Sequence, residues 1–534
     1  MKRIISIVFA LALVLALSLA TVVPVGATST WYVDPTGTDD GSHGTGPGTA
    51  AWQTIQYAVS HVGPGDIITV GPGTYIMGQI VISQGLTIIG GSPKPVINPT
   101  GNLPGTLAGN AWILVNAGVT FTLRDVVLDG NPFFVYTAIR NHGFTTLDNV
   151  DFRNIQMSVS GTPYRGYAVV TFGGTVPGGW GTDSHGAGGL ASTLSVTGCT
   201  FQQIGRDGVL VKGTQATASI SGCTYTGHGT GDWLEYGVEV GAGGVATITG
   251  NTITGCGISG TAWSSAAVAV TDAYGPGSAA TITGNNLTGN EHGIAAAYNA
   301  TDASVVTAHF NNISGNVEGI HTPSTVVTTD GECNWWGDAS GPTHSGNPGG
   351  IGDPATDFVD YTPWLTEAYA PQKSVTPTTG GTASFTPGQG SIESLTVVPP
   401  PATPPVTLPY GMFNFTVCCF TGATATLNIM LPGPVPVGTK WYKYNAGAWD
   451  ALPIGDDNGD AFITVTLTDN NPIHDEDPTV GQIIDQGGPG YPGAVGWETY
   501  PVSKARVLLP WIALLAAFIL VASLLVLRRH RAQT

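Results

Sequence analysis

The chain has 534 residues, with 17 Lys plus Arg against 35 Asp plus Glu and a formal net charge of −18. Two bases sit in the first three residues and five at or beyond Lys504, so the stretch between holds ten bases against all 35 acids. That surplus argues against nucleic acid and anionic lipid head groups as partners, and against polyanionic glycans unless metal ions or a local basic cleft intervene. The 77 Gly and 37 Pro, with no long helical pattern between the ends, indicate a turn-rich all-β protein, and six Cys are too few for a disulfide scaffold.

Residues 1–27 read as a signal peptide. Lys2 and Arg3 precede an apolar run from Ile4 to Ala20, and Val25-Gly26-Ala27 stands before polar Thr28. Trp52 to Val62 is expected to form a helix that covers an open sheet edge. Ile55, Ala58, Val59 and Val62 fall at helical spacing, and Gly63-Pro64-Gly65 stops it.

The middle of the chain repeats. The strings Leu123–Leu128, Leu147–Phe152, Val196–Phe201, Ile220–Tyr225, Ile248–Ile253, Ile282–Leu287 and Ala308–Ile313 share one pattern. Their fourth positions are Val126, Val150, Cys199, Cys223, Asn251, Asn285 and Asn311, in steps of 24, 49, 24, 28, 34 and 26 residues. The step of 49 is two turns, or one turn with an insertion around Thr162–Gly189. Each repeat is strand, bend, strand, and only stacking at ~4.8 Å buries the apolar sides. The Asn column is expected to bond amide to amide from coil to coil. Cys199 and Cys223 are expected to stack as small inward groups rather than to bridge, and Cys256 and Cys333 have no evident partner. A later column places Val209, Val238, Val268, Ile294 and Ile320 inward, with Leu210, Glu239, Ala269, Ala295 and His321 facing solvent.

Before each column Gly, or its Ala equivalent, come Asp207, Tyr236, Ala266, His292 and Glu318, with Arg206, Lys212, Glu239 and His321 beside them. Arg206, Asp207 and Lys212 on one coil and Glu239 on the next form the candidate catalytic face. Their convergence reads as unique in the helix; the alternative is an ordinary solvated face. Asp183 and His185 lie in a Gly-rich insertion that could wall a cleft.

A linker, 369–383, leads to a second domain, 384–490, with alternating strands at Met412–Cys418, Ala423–Met430, Lys440–Tyr444 and Ala461–Thr468, as in a β-sandwich. Cys418 and Cys419 are adjacent and point to opposite faces. Asp456, Asn458 and Asp460 alternate around Gly459, a spacing of oxygen ligands that suits calcium, although the twelve-residue loop with its terminal Glu is absent. Asp475, Asp477 and Asp485 are a second acidic group. A solvated acidic turn is the alternative for both. Residues 491–506 are a juxtamembrane linker. Val507–Leu527 holds no charge and spans about 31 Å at ~1.5 Å per residue, enough to cross a bilayer core. Arg528, Arg529 and Arg531 place the tail, 528–534, in the cytoplasm and everything before the helix outside.

Trp31–Pro35, Trp52–Ile55, Gly63–Tyr75 and Asn334–Pro342 resemble the opening and exit of pectin-lyase-like right-handed parallel β-helix proteins, over residues 28–368. The resemblance implies a fold that hosts lyases, hydrolases, epimerases and non-catalytic surface proteins. A lyase of this kind needs calcium-binding carboxylates and an Arg or Lys base; neither an epimerase DxHD string nor a polygalacturonase Asp pair is found. Leu431-Pro432, Trp441–Tyr444, Leu467–Asp469, Asp475–Asp477 and Ile483–Gly490 resemble the choice-of-anchor U domain, which implies presentation of the helix ahead of an anchor. Val480-Gly481 departs from that pattern, where Asn-Gly is common. Three functions are expected in descending order. The first is non-catalytic contact with polysaccharide or cell-envelope glycan, the second a surface polysaccharide lyase or glycoside hydrolase, the third a passive envelope component.

Overall fold

The computed structural model describes residues 28–103, 111–156, 166–174, 190–231, 234–257, 265–388, 390–418, 424–445, 447–476 and 482–492. The signal peptide, the membrane helix with its basic tail, and Asp183, His185, Cys419 and Asp477 lie outside the described residues. Among the described residues no helix is long and apolar enough to cross a membrane.

From Thr30 to Asp360 the chain winds as a parallel β-helix through three sheets of twelve, nine and nine strands. One coil runs Ser192–Thr197 in the first sheet, Thr200–Ile204 in the second and Asp207–Lys212 in the third. Coils pair in register, so Val209, Val238, Val268, Ile294 and Ile320 are successive partners. All five are buried, as the alternation requires. The step of 49 is a single coil: Asp151–Ile155, Tyr167–Phe172 and Ser192–Thr197 follow one another through the three sheets.

The bend from the first sheet to the second takes two residues on each coil from Arg124 to Asn312. The first of the two is left-handed: Asp125, Asn149, Gly198, Gly222, Gly250, Gly284 and Phe310 all have φ between 55° and 67°. Gly, Asn and Asp suit that conformation; Phe310 is strained there. The second residue is the buried column. Asn251 Nδ2 donates to Asn285 Oδ1 at 2.9 Å, Asn285 to Asn311 at 2.9 Å and Asn311 to Asn334 at 3.0 Å. Each Oδ1 also accepts the backbone N–H of the preceding coil, as Asn285 does from Asn251 at 2.9 Å. A second ladder, outside the repeated strings, runs along the next corner: Asn290 donates to Asn316 Oδ1 at 2.9 Å, and Asn316 to Asp353 at 2.8 Å. Cys199, Cys223, Cys256 and Cys333 are buried free thiols, and Cys418 is buried as well.

A helix, Ile55–His61, packs Ile55 and Ala58 into the core at one end. It begins later than Trp52 because Asp39 Oδ1 accepts the N–H groups of Gln53 (2.7 Å) and Thr54 (3.0 Å), holding Thr54 extended as the cap. Trp336 is fully buried at the other end.

Residues 373–490 form two antiparallel sheets. Lys373–Val375, Ala383–Pro387, Thr424–Met430 and Phe462–Thr468 make one. Ser391–Val398, Met412–Cys418, Lys440–Asn445, Ala448–Pro453 and Gln482–Gly490 make the other. They share a core of Phe385, Phe413, Phe415, Trp441 and Ile463. Lys373–Val375 lies inside the stretch read as linker, yet it is a strand paired with Ala383–Pro387.

Candidate functional site

The third sheet has a local break that orients its outer face. A Cβ on Gly208 would stand 2.8 Å from the Tyr225 ring, and one on Gly237 2.6 Å from Ile253, so these positions face the core. Val209 and Val238, next in line, also face the core. Two successive inward positions turn the residues on either side outward: Asp207 and Leu210 on one coil, Tyr236 and Glu239 on the next.

Three of the four candidate residues, Arg206, Asp207 and Glu239, therefore meet, and Lys212 lies within their electrostatic influence. Arg206 Nε is 3.7 Å from Asp207 Oδ1, and its Nη2 is 3.5 Å from Glu239 Oε2. The Arg206 guanidinium lies 5.8 Å from the centre of the Tyr236 ring, and Lys212 Nζ 3.9 Å from that of Tyr274. The cluster is not the exposed face expected from alternation. Asp207 is 0% exposed, Lys212 2% and Glu239 4%, while Leu210 and Ala269 are buried and Ala295 and His321 half-buried. The reason is a second apolar layer: Tyr136, Tyr167, Val170, Phe172 and Leu210 cluster on the outer side of this sheet. Nor is the convergence unique, because Lys94 and Arg153 both reach Asp151, at 2.8 and 3.1 Å.

Burial sets the protonation of the cluster. It pushes the Asp207 carboxyl well above the ordinary range, Glu239 adds to the effect, and Arg206 opposes it. Burial acts to lower the Arg206 guanidinium, but Glu239 and its neighbours outweigh that and raise it. The phenols of Tyr167 and Tyr236 are raised by burial, and that of Tyr274 is pushed up to about 12. Burial brings Lys212 down to about 8, against the pull of Glu239. Burial thus favours the protonated form of Asp207, which lies beside the Arg206–Glu239 contact.

The acids of the second region are engaged locally. Asn458 Oδ1 accepts the Asp460 N–H at 2.9 Å, Asp460 accepts that of Phe462 at 2.7 Å, and Asp456 accepts the Asn458 amide at 3.0 Å. This is an exposed turn whose oxygens serve its own N–H groups. Asp475 accepts from the N–H groups of Asn470 (3.0 Å) and Ile484 (3.1 Å). Asp485 is fully buried, 3.6 Å from buried Lys443, and burial pushes its carboxyl up to about 6. A calcium ion takes 6–8 oxygens, and neither group presents such a set among the described residues. A different trio, His292, Glu318 and His321, brings its ligand atoms within 4.8 Å of one another. The repeat step of 26 residues from His292 to Glu318 was the sequence signal for it. Tyr167, Tyr236 and Tyr274 were also missed as partners of the charged cluster.

A family model described as "right handed beta helix region" matches residues 138–329. No curated protein matches the chain. Among solved structures, a mutant of the PL6-family alginate lyase AlyGC aligns with 58% of this chain and 40% of its own, at 16% identity and a TM-score of 0.40. A rhamnogalacturonan lyase aligns with 64% of this chain and 89% of its own, at 14% identity and a TM-score of 0.31. The chain thus spans less than half of the alginate lyase, and neither likeness bears on the reaction. What stands is the fold: residues 138–329 match a right-handed β-helix model, and the three parallel sheets agree with it.

Proposed function

We propose that this is a cell-surface protein, exported by residues 1–27 and anchored by 507–527, that contacts polysaccharide or other cell-envelope glycan without catalysis. The burial of the Arg206 cluster carries this reading. A general base must come within hydrogen-bond reach of the proton it removes; Asp207, Lys212 and Glu239 are at most 4% exposed, and the Arg206 side chain, 11% exposed, is turned to Asp207 and Glu239. The acid surplus favours neutral or weakly charged glycans. The antiparallel region serves as a choice-of-anchor-like presenting domain, with no bound ion required. The test is to incubate the purified protein with a panel of polysaccharides, with and without calcium. Retention without new reducing or unsaturated ends is expected; release of either overturns the reading.

One observation favours the second reading, a polysaccharide lyase. Lys212, brought down to about 8, lies in the range of a base working near neutral pH. Product release by the wild type that Lys212→Met abolishes would establish it.

A further inference from the structure

We propose that His292, Glu318 and His321 bind one divalent transition-metal ion on the outer face of the third sheet. The site goes beyond the glycan-contacting reading and does not depend on it. Register builds it: His292 pairs with Glu318 on the next coil. The inward pair Gly319-Ile320 then turns both Glu318 and His321 outward, by the same break that directs Asp207 and Leu210 to the outer side of the sheet.

The distances suit an ion. Glu318 Oε2 lies 2.7 Å from His321 Nδ1 and 3.3 Å from His292 Nδ1, and the two rings stack with centroids 4.6 Å apart. Metal bonds of about 2.0–2.2 Å in a tetrahedral site place ligand atoms about 3.3 Å apart, so small side-chain shifts complete the geometry. A second observation is independent of the spacing. His292 is 6% exposed; its Nε2 has no hydrogen-bond partner, and its Nδ1 has only the Glu318 carboxylate at 3.3 Å, without hydrogen-bond geometry. A buried imidazole in that state is costly, and an ion satisfies it. Glu318 and His321 are about one-third exposed, which leaves a path from solvent. Two imidazoles and one carboxylate suit zinc or cobalt(II) rather than calcium, and three protein ligands leave a position for water or a glycan oxygen.

The experiment uses the full chain after chelator treatment. Zinc is titrated by calorimetry and cobalt(II) by visible absorption, on wild type, His321→Gln and Glu318→Gln. His321 and Glu318 are partly exposed, so these variants should fold; a melting curve checks each, whereas His292→Ala removes a buried ring. The expected result is saturable zinc binding, weakened at least tenfold or reduced by one equivalent in both variants, with loss of the cobalt d–d bands. Absence of a saturable equivalent in the wild type overturns the site. So does binding with unchanged affinity and stoichiometry in the two folded variants.

Discussion

Asn285 is the sharpest probe of the stack. Its amide donates to Asn311 Oδ1 (2.9 Å), to the Ile248 carbonyl (2.9 Å) and to the Thr283 carbonyl (3.2 Å). Its oxygen accepts the Asn251 N–H (2.9 Å) and the Asn251 amide (2.9 Å). Asn285→Ala removes all five bonds at a site with no solvent exposure. The Asn251 N–H and one Asn251 amide hydrogen then lose their acceptor, and each unmet buried group costs about 1–3 kcal/mol. The expected loss is therefore about 3–5 kcal/mol. The neighbouring residue is the control: Asn286 is exposed and accepts one bond, from Asn312 at 2.7 Å, so Asn286→Ala should stay within about 0.5 kcal/mol. Chemical denaturation gives the totals. Hydrogen exchange shows where protection falls, because a stacked repeat can open locally, and the loss should centre on the Asn251 to Asn311 coils. Equal effects at 285 and 286, or a loss at 285 below about 1 kcal/mol, would refute the ladder and with it the register.

Val238→Asp should cost several kcal/mol, because the carboxylate would lie between Val209 and Val268 in the core. Glu239→Ala, in a buried ion pair, should also lower the melting temperature, and Glu239→Gln less; an unchanged melting temperature for both would mean the cluster is open to water. Asp485 holds its proton more tightly in the folded chain, so between pH 4 and about 6 the folded state binds more protons and stability falls as pH rises. Asp485→Asn should flatten that slope, worth about 3 kcal/mol at ~1.4 kcal/mol per pH unit; an unaltered slope would show that Asp485 titrates normally. Removing residues 507–534 should release the protein to the medium, and a truncated chain that stays with the membrane would reveal another anchor.

Much of the fold was legible because identical positions recur. Asn251, Asn285 and Asn311 share a slot in a repeated string, and stacking leaves such a column one arrangement. Strand faces were legible wherever alternation is regular, as at Val238. It misled at Glu239, whose direction is outward as expected but which is 4% exposed, with Arg206 of the preceding coil 3.5 Å away. Burial of an outer face is a property of neighbours far apart in sequence, and periodicity within one strand carries no information about it. The charged cluster was legible because Arg206, Asp207, Lys212 and Glu239 flank the recurring column position at Gly208 and Gly237. The His292 trio was not grouped, although its members were in view, because it contains no Arg or Lys to mark it as a convergence of opposite charges.

The two kinds of corner divide the labour of the molecule. The bend from first to second sheet admits two residues, and a third would move every following side chain to the opposite face. The passage from second to third sheet has no fixed length: Gly205-Arg206 suffices on one coil, while residues 227–235 and 255–265 make the same crossing on the next two. Chain can thus be added beside the charged face without altering the pairing of a single strand. A lineage built on this plan could rewrite what its surface touches while inheriting its core unchanged, and a designer grafting a loop would choose the same corner.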